Sequence, residues 1–214
     1  MGNPAINLKN IVSLTKPAAK ESVSFRSNIG ISGETLALLH EKGRQYGLES
    51  ILPLSIDNIV TAQWVNLKCR YGCSQYKANW SCPPATPDFA EARTILSEYT
   101  TALLLVGSQK RNDFYKKSNR NRTDQVKYWK GIVSLERMLF LKGYDKAISL
   151  VSGACSLCKK CAYPDACRFP MEKRPTVESF CIDLIGTLKN LDIDIKVAMK
   201  LNETFKYYSI ILLD

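Results

Sequence analysis

Seven of the eight cysteines in this 214-residue chain fall in two tight groups, and that distribution limits what the chain can fold into more than any other feature. The first group is Cys69-x3-Cys73-x8-Cys82, followed by Pro83 and Pro84; the second is Cys155-x2-Cys158-x2-Cys161-x5-Cys167; Cys181 stands alone. A disulfide scaffold is short and spreads its cysteines along its length, whereas these are sparse, clustered and without the apolar stretch of an export signal. The pattern belongs to metal ligands in a reducing cytoplasm, and a cytoplasmic location is the expectation. The chain has one histidine, His40, far in sequence from both groups, so a His-rich metal site or a His base does not fit.

Three thiolates at successive three-residue steps, as in Cys155, Cys158 and Cys161, can wrap an iron-sulfur cube, each short step offering backbone N–H groups to the sulfurs. The five-residue gap to Cys167 gives that residue room to return to the same cube; crossing to a second site is the alternative. Zinc is the competing metal, but structural zinc usually pairs two separated knuckles, and this run is compressed. In the first group Gly72 permits a turn between Cys69 and Cys73, and Tyr71, Tyr76 and Trp80 are placed to exclude water. Its three cysteines cannot fill the four irons of a cube. A fourth ligand must come from elsewhere in the chain, from a small molecule or water, or from a substrate bound at an open iron; alternatively Cys82 joins the other group around one shared cluster. Cys181 is the remaining thiol, expected two turns into a helix as a small buried hydrophobe.

The rest of the chain reads as alternating helices and strands. Residues 1–30 read as an extended N-terminal arm, and 31–214 as a single cysteine-rich domain. Helices are expected from Gly33 to Gly47, from about Pro87 to Tyr99, from Thr123 to Lys142 and from Pro175 through Leu188; strands at 57–67, 101–107, 146–151, 194–199 and 207–213. The fold class is therefore α/β or α+β, a mixed sheet of about five strands packed with about four helices, with each cysteine group at a strand end before a helix. Glu178 and Asp183 fall on the last helix, where an acid is ordinarily solvated or paired, though either could serve as a ligand or proton donor. Arg168, Lys173 and Arg174 flank the second group, placed to balance the negative charge of a thiolate-bound cluster or to lie in solvent.

The formal charge of +10 permits acidic partners or nucleic acid without choosing between them. Its densest stretch, 110–122, carries six basic residues and one acid, Asp113, and reads as a basic loop able to dock an acidic redox protein. No nucleic-acid motif, Walker loop, dinucleotide fingerprint or nucleophile elbow accompanies it, so specific nucleic-acid binding is not expected. No apolar run approaches the roughly 18 residues of a membrane helix.

The segments KCRYGCSQYKANWSCPP and CSLCKKCAYPDACRFPMEKRPTVESFCIDLIGTL together resemble a family of small prokaryotic predicted metal-binding proteins of unknown function, over residues from about 57 to 200. The resemblance implies metal binding through Cys69, Cys73, Cys82, Cys155, Cys158, Cys161 and Cys167 and carries no settled reaction. Such relatives have a small residue in place of Cys181, which argues against an obligatory role for it. The resulting expectation is an iron-sulfur protein with one or two 4Fe-4S clusters that transfers electrons to or from a protein partner. The alternatives are an enzyme that binds a small-molecule substrate or removes sulfur at an open cluster on Cys69, Cys73 and Cys82, and a zinc-stabilised interaction module.

Overall fold

The computed structural model describes residues 30–110, 122–195 and 198–214. Nearly all of the expected arm, and residues 111–121 of the basic segment, lie outside the described residues. The fold is α+β: five α-helices and a four-stranded sheet among the described residues.

Helix α1 (Gly33–Arg44) starts where Ser32 accepts a hydrogen bond from the Thr35 N–H at 3.2 Å, and the turn after it is completed by Gly47 at φ 85°. Strand β1 (Leu48–Ser55) follows; Pro53 and the polar Glu49 and Ser50 hide it from the sequence, and an edge position tolerates that proline. Strand β2 (Thr101–Lys110) is longer than expected, helix α4 (Arg122–Leu141) starts and ends one residue earlier than expected, β3 is short (Ile148–Leu150) and β4 covers Thr204–Leu212. The strand order is β1-β2-β4-β3, and every neighbouring pair is antiparallel. Among the described residues the sheet is thus antiparallel rather than mixed, with four strands rather than about five.

Both faces of this sheet are covered, which is why β2 reads as one apolar run. Leu103 and Leu105 point to the side of α1 and α4, meeting Leu39, Trp129, Ile132 and Leu139. Ala102, Leu104 and Val106 point to the other side, against helix α3 (Phe89–Leu96) through Ala92 and Leu96 and against Phe180, Ile182 and Leu188. Asp88 caps α3, accepting from the Glu91 N–H at 2.9 Å, so the helix begins two residues later than expected.

Three sequence expectations are corrected. Residues 57–67 form no strand: a 3-10 turn (Ile56–Asn58) leads to helix α2 (Gln63–Gly72). Its period is obscured because Val65 alone is buried while Trp64, Leu67 and Tyr71 face outward. The helix expected from Pro175 is broken. A 3-10 turn (Glu178–Phe180) ends at Cys181 in the left-handed region (φ 56°), and helix α5 (Leu184–Asn190) restarts under the Asp183 cap. The break is enforced by cross-chain pairing, since Ala62 N–H donates to Cys181 O at 2.9 Å and Asp183 N–H to Val60 O at 2.7 Å. The described part of 194–199 is not a strand; residues 196 and 197 lie outside the described residues.

Candidate metal centre

The two groups occupy different kinds of backbone: the first lies at and beyond the end of helix α2 rather than after the expected strand, whereas the second follows strand β3 as expected, in a long loop before the 3-10 turn at Glu178. Cys69 lies in the last turn of α2 and Cys73 follows its end, while Cys82 is buried in the loop before α3. The three thiols line one cavity of about 450 Å³, walled mainly by Trp64, Val65, Pro83, Ile182, Leu184 and Ile185. Lys68 stands at the same cavity with its ammonium 4.7 Å from the centre of the Trp64 ring, a cation-π contact. Tyr76 also lines it, whereas Tyr71 is 76% exposed and Trp80 belongs to the other group.

The second group lies in a segment without regular secondary structure between Val151 and Thr176. Side chains from elsewhere satisfy its carbonyls. Arg122 of α4 donates to Leu157 O at 2.7 Å, Trp129 of α4 to Glu172 O at 2.7 Å, Arg137 of α4 to Met171 O at 3.1 Å and Trp80 to Asp165 O at 2.8 Å. Arg168 closes the loop on itself through Lys160 O. Lys173 lies over the Trp80 ring at 4.6 Å. Arg174 does not open a helix; its Nε donates to the buried Glu136 carboxylate of α4 at 2.8 Å, fixing the loop's downstream end. Leu157 is buried and Phe169 half-buried against the core of that face. All four cysteines of the group line one enclosed space of about 10 Å³ together with Asn79, Trp80 and Ser81.

These shared residues make the groups neighbours. The Asn79 side-chain amide donates to Cys155 O at 3.2 Å, and Thr176 N–H to Ser81 O at 3.3 Å. Cys82 and Cys155 are close enough to raise the cost of ionising Cys82. Cys82 nevertheless faces the first cavity and not the space of the second group.

All eight cysteines are free. Burial, then the neighbouring Cys73, pushes Cys69 up to about 11 and Cys82 up to about 12 from the ordinary 9.0. Burial also lifts Cys155 to about 11, although the Leu157 N–H and the Ser81 hydroxyl act in the opposite direction. A bound cation reverses this balance, because it favours the thiolate that burial disfavours.

Two features fit the donor set to metal or cluster ligation. One sulfur in each group accepts a main-chain N–H from two residues ahead, Cys73 from Gln75 at 3.5 Å and Cys167 from Phe169 at 3.4 Å, and the Leu157 N–H serves Cys155 in the same way. Such N–H···S bonds stabilise a thiolate and tune a cluster. The Ser81 hydroxyl, buried beside Cys155, has no partner of ordinary hydrogen-bond geometry among the described residues, leaving a donor for a sulfide or thiolate. Among the described residues no three His, Cys, Asp or Glu side chains are gathered as tightly as one metal ion needs. Binding of a single metal ion at either group would require its sulfurs to draw together.

Cys181 is fully buried (0% exposed), accepts a 3.9 Å contact from the Asn66 amide and is not among the residues that line the first cavity. The sequence reading missed Asn79, Ser81 and the Glu136 partner of Arg174. Their only signal was position, since Asn79 and Ser81 fall just before Cys82.

Fold and donor set together define a cysteine-rich α+β protein with two adjacent thiol groups, a composition that supports metal binding. The chain belongs to the family described as predicted metal-binding proteins (DUF2284), whose model matches residues 53–213 and so spans both groups and Cys181. No curated protein and no solved structure matches it. No helix among the described residues is long and apolar enough to cross a membrane.

Proposed function

We propose that this chain is an iron-sulfur protein with two adjacent centres, one on Cys155, Cys158, Cys161 and Cys167 and one on Cys69, Cys73 and Cys82, exchanging electrons with a protein partner. The observation that carries it is the adjacency of the two thiol groups, joined through Asn79 and Cys155 O. Such clusters supply one-electron chemistry when bound. The chain's own residues hold the sulfurs, direct N–H groups at Cys73, Cys155 and Cys167, and exclude water with Trp80, Leu157 and Phe169. The basic segment 110–122 supports an acidic partner, whose encounter is salt-sensitive.

A specific observation favours a second reading: the first group faces an apolar cavity of about 450 Å³, a volume suited to a small molecule, so chemistry on a substrate at that centre is the alternative. Iron, zinc and acid-labile sulfide per chain, measured on protein purified without oxygen, test the cluster assignment. About eight irons with equal sulfide support two cubes, and about four reduce the reading to one. Zinc without sulfide refutes the redox reading and leaves the zinc-stabilised module. Reversible reduction without added substrate separates electron transfer from the second reading, which instead requires the spectrum to shift when small thiols or cyanide are added.

A further inference from the structure

The first group presents three thiols to its cavity, and a fourth donor supplied by the protein would come from the same wall. Two carboxylates line that cavity, Glu178 and Asp183. Asp183 is engaged, since its Oδ1 accepts from the Gly186 N–H at 3.0 Å as the cap of α5. Cys181 is turned to Asn66 and does not line the cavity. Glu178 differs in position rather than in being free, since the Thr176 hydroxyl and its own N–H bond its carboxylate: it lines the cavity of the first group and also the neighbouring cleft that reaches Cys155 and Cys158, so it stands in the wall between the two groups.

The backbone carrying Glu178 is held firmly. Thr176 N–H donates to Ser179 Oγ at 2.8 Å, Ser179 N–H returns to Thr176 Oγ1 at 3.0 Å, and Ser179 Oγ donates to Thr176 O at 2.9 Å. One side of this box is tied to the Cys82 loop through Ser81 O, and its far side to the start of α2 through Cys181 O. A carboxylate mounted this way approaches the thiols without a large loss of backbone freedom. It shares the lining of the first cavity with Cys69, Cys73 and Cys82.

The geometry points to Glu178 as the fourth, oxygen ligand of the metal centre held by Cys69, Cys73 and Cys82. This rests on the reading that the first group holds metal. The Glu178 side chain is exposed and opens to both cavities. A metal facing it would supply the opposite charge, and one carboxylate oxygen would take the open position. An oxygen donor in a set otherwise made of sulfur is the exchangeable one, since soft metals hold thiolate more firmly. The oxygen-ligated position would then be the one a small molecule in the apolar cavity could displace.

The test compares wild type, Glu178→Gln, Glu178→Cys and Cys69→Ala, each loaded anaerobically with the ⁵⁷Fe isotope and read by Mössbauer spectroscopy and iron analysis. In wild type one iron of this centre should differ from its thiolate-bound neighbours; Glu178→Gln should alter or lose it, lowering iron by about one per chain, and Glu178→Cys should make it resemble the others. Should Glu178→Gln fail to fold, Glu178→Cys carries the same test. Unchanged spectra in both Glu178 variants, with iron lost in Cys69→Ala, overturn the ligation and leave the centre standing. Full iron and sulfide in Cys69→Ala remove the centre itself, and the inference falls with it. If zinc replaces iron, zinc-edge X-ray absorption on the same proteins decides: one oxygen with three sulfurs in wild type supports Glu178, and sulfur alone refutes it.

Discussion

The first cysteine group starts on a helix and faces room; the second is tight and has no regular structure of its own. Cys69 rides on α2, whose hydrogen bonds form without metal, and its cavity is about 450 Å³. Cys155 to Cys167 lie on a loop whose carbonyls are pinned by Arg122, Trp129, Arg137 and Trp80, around a space of about 10 Å³ that holds about one water-sized sphere. The difference separates two roles that spacing alone would merge. A complete thiol set in a stapled loop suits a centre that is held, while an incomplete set beside open volume suits one that is reached.

The largest expected break in this comparison is Cys158→Ala. It removes the second centre and, because the loop has little other order, should also lower the melting temperature by 10 °C or more, on the order of several kcal/mol. Cys69→Ala should strip the first centre of metal as completely, yet shift the melting temperature by only a few degrees, since α2 remains. Equal destabilisation by both, followed by calorimetry alongside iron analysis, would erase the distinction.

Glu136→Gln comes next. It weakens the buried pair with Arg174, whose loss costs about 3 kcal/mol when one partner is left uncompensated, and its effect on metal retention should fall on the second centre alone. Chelator challenge of the variant, with each centre's iron followed separately, reads that selectivity.

The metal-free protein should lose stability in alkali. The folded state holds Cys82 up to about 12 and Cys69 and Cys155 up to about 11, against the ordinary 9.0. Between pH 9 and these values the unfolded chain binds fewer protons than the folded one, so stability present below pH 9 falls as pH rises. Urea midpoints at pH 8 and 10 should differ, and Cys82→Ser should flatten the slope more than Cys155→Ser. Metal-loaded protein, with its thiols already deprotonated, should show no such slope.

The smallest effect is Trp80→Phe. Losing the hydrogen bond to Asp165 O costs about 1 kcal/mol, and the change should perturb the second centre's spectrum more than the first's, although Trp80 lies only two residues before Cys82. A larger shift at the first centre would break the assignment of this ring.

The long helix α4, the buried run of β2 and the division of seven cysteines into two sets were legible because each is written in local pattern. The layer structure followed from them, and the α+β class with it. What stayed hidden depends on pairing across distance. The helix expected from Pro175 is interrupted because Val60 and Ala62 capture the backbone around Cys181, which no feature of residues 175–190 announces. Strand β1 was masked by Pro53, acceptable only because β1 is an edge, and α2 by aromatic residues that face outward. At the site, the ligating residue types were visible but their surroundings were not. Glu178 looks like any acid on a helix until the turn places it between two thiol groups.

The tie between Thr176 N–H and Ser81 O also sets a schedule. The second group spans only residues 155 to 167, so its thiols can converge as soon as that stretch leaves the ribosome and meets α4. The first group begins earlier in the chain yet finishes later, because its cavity needs Thr176, Glu178 and Ile182 through Ile185, about a hundred residues beyond Cys82, and such distant closures are slow. During synthesis, the pocket whose cysteines emerge first is the last to acquire its walls.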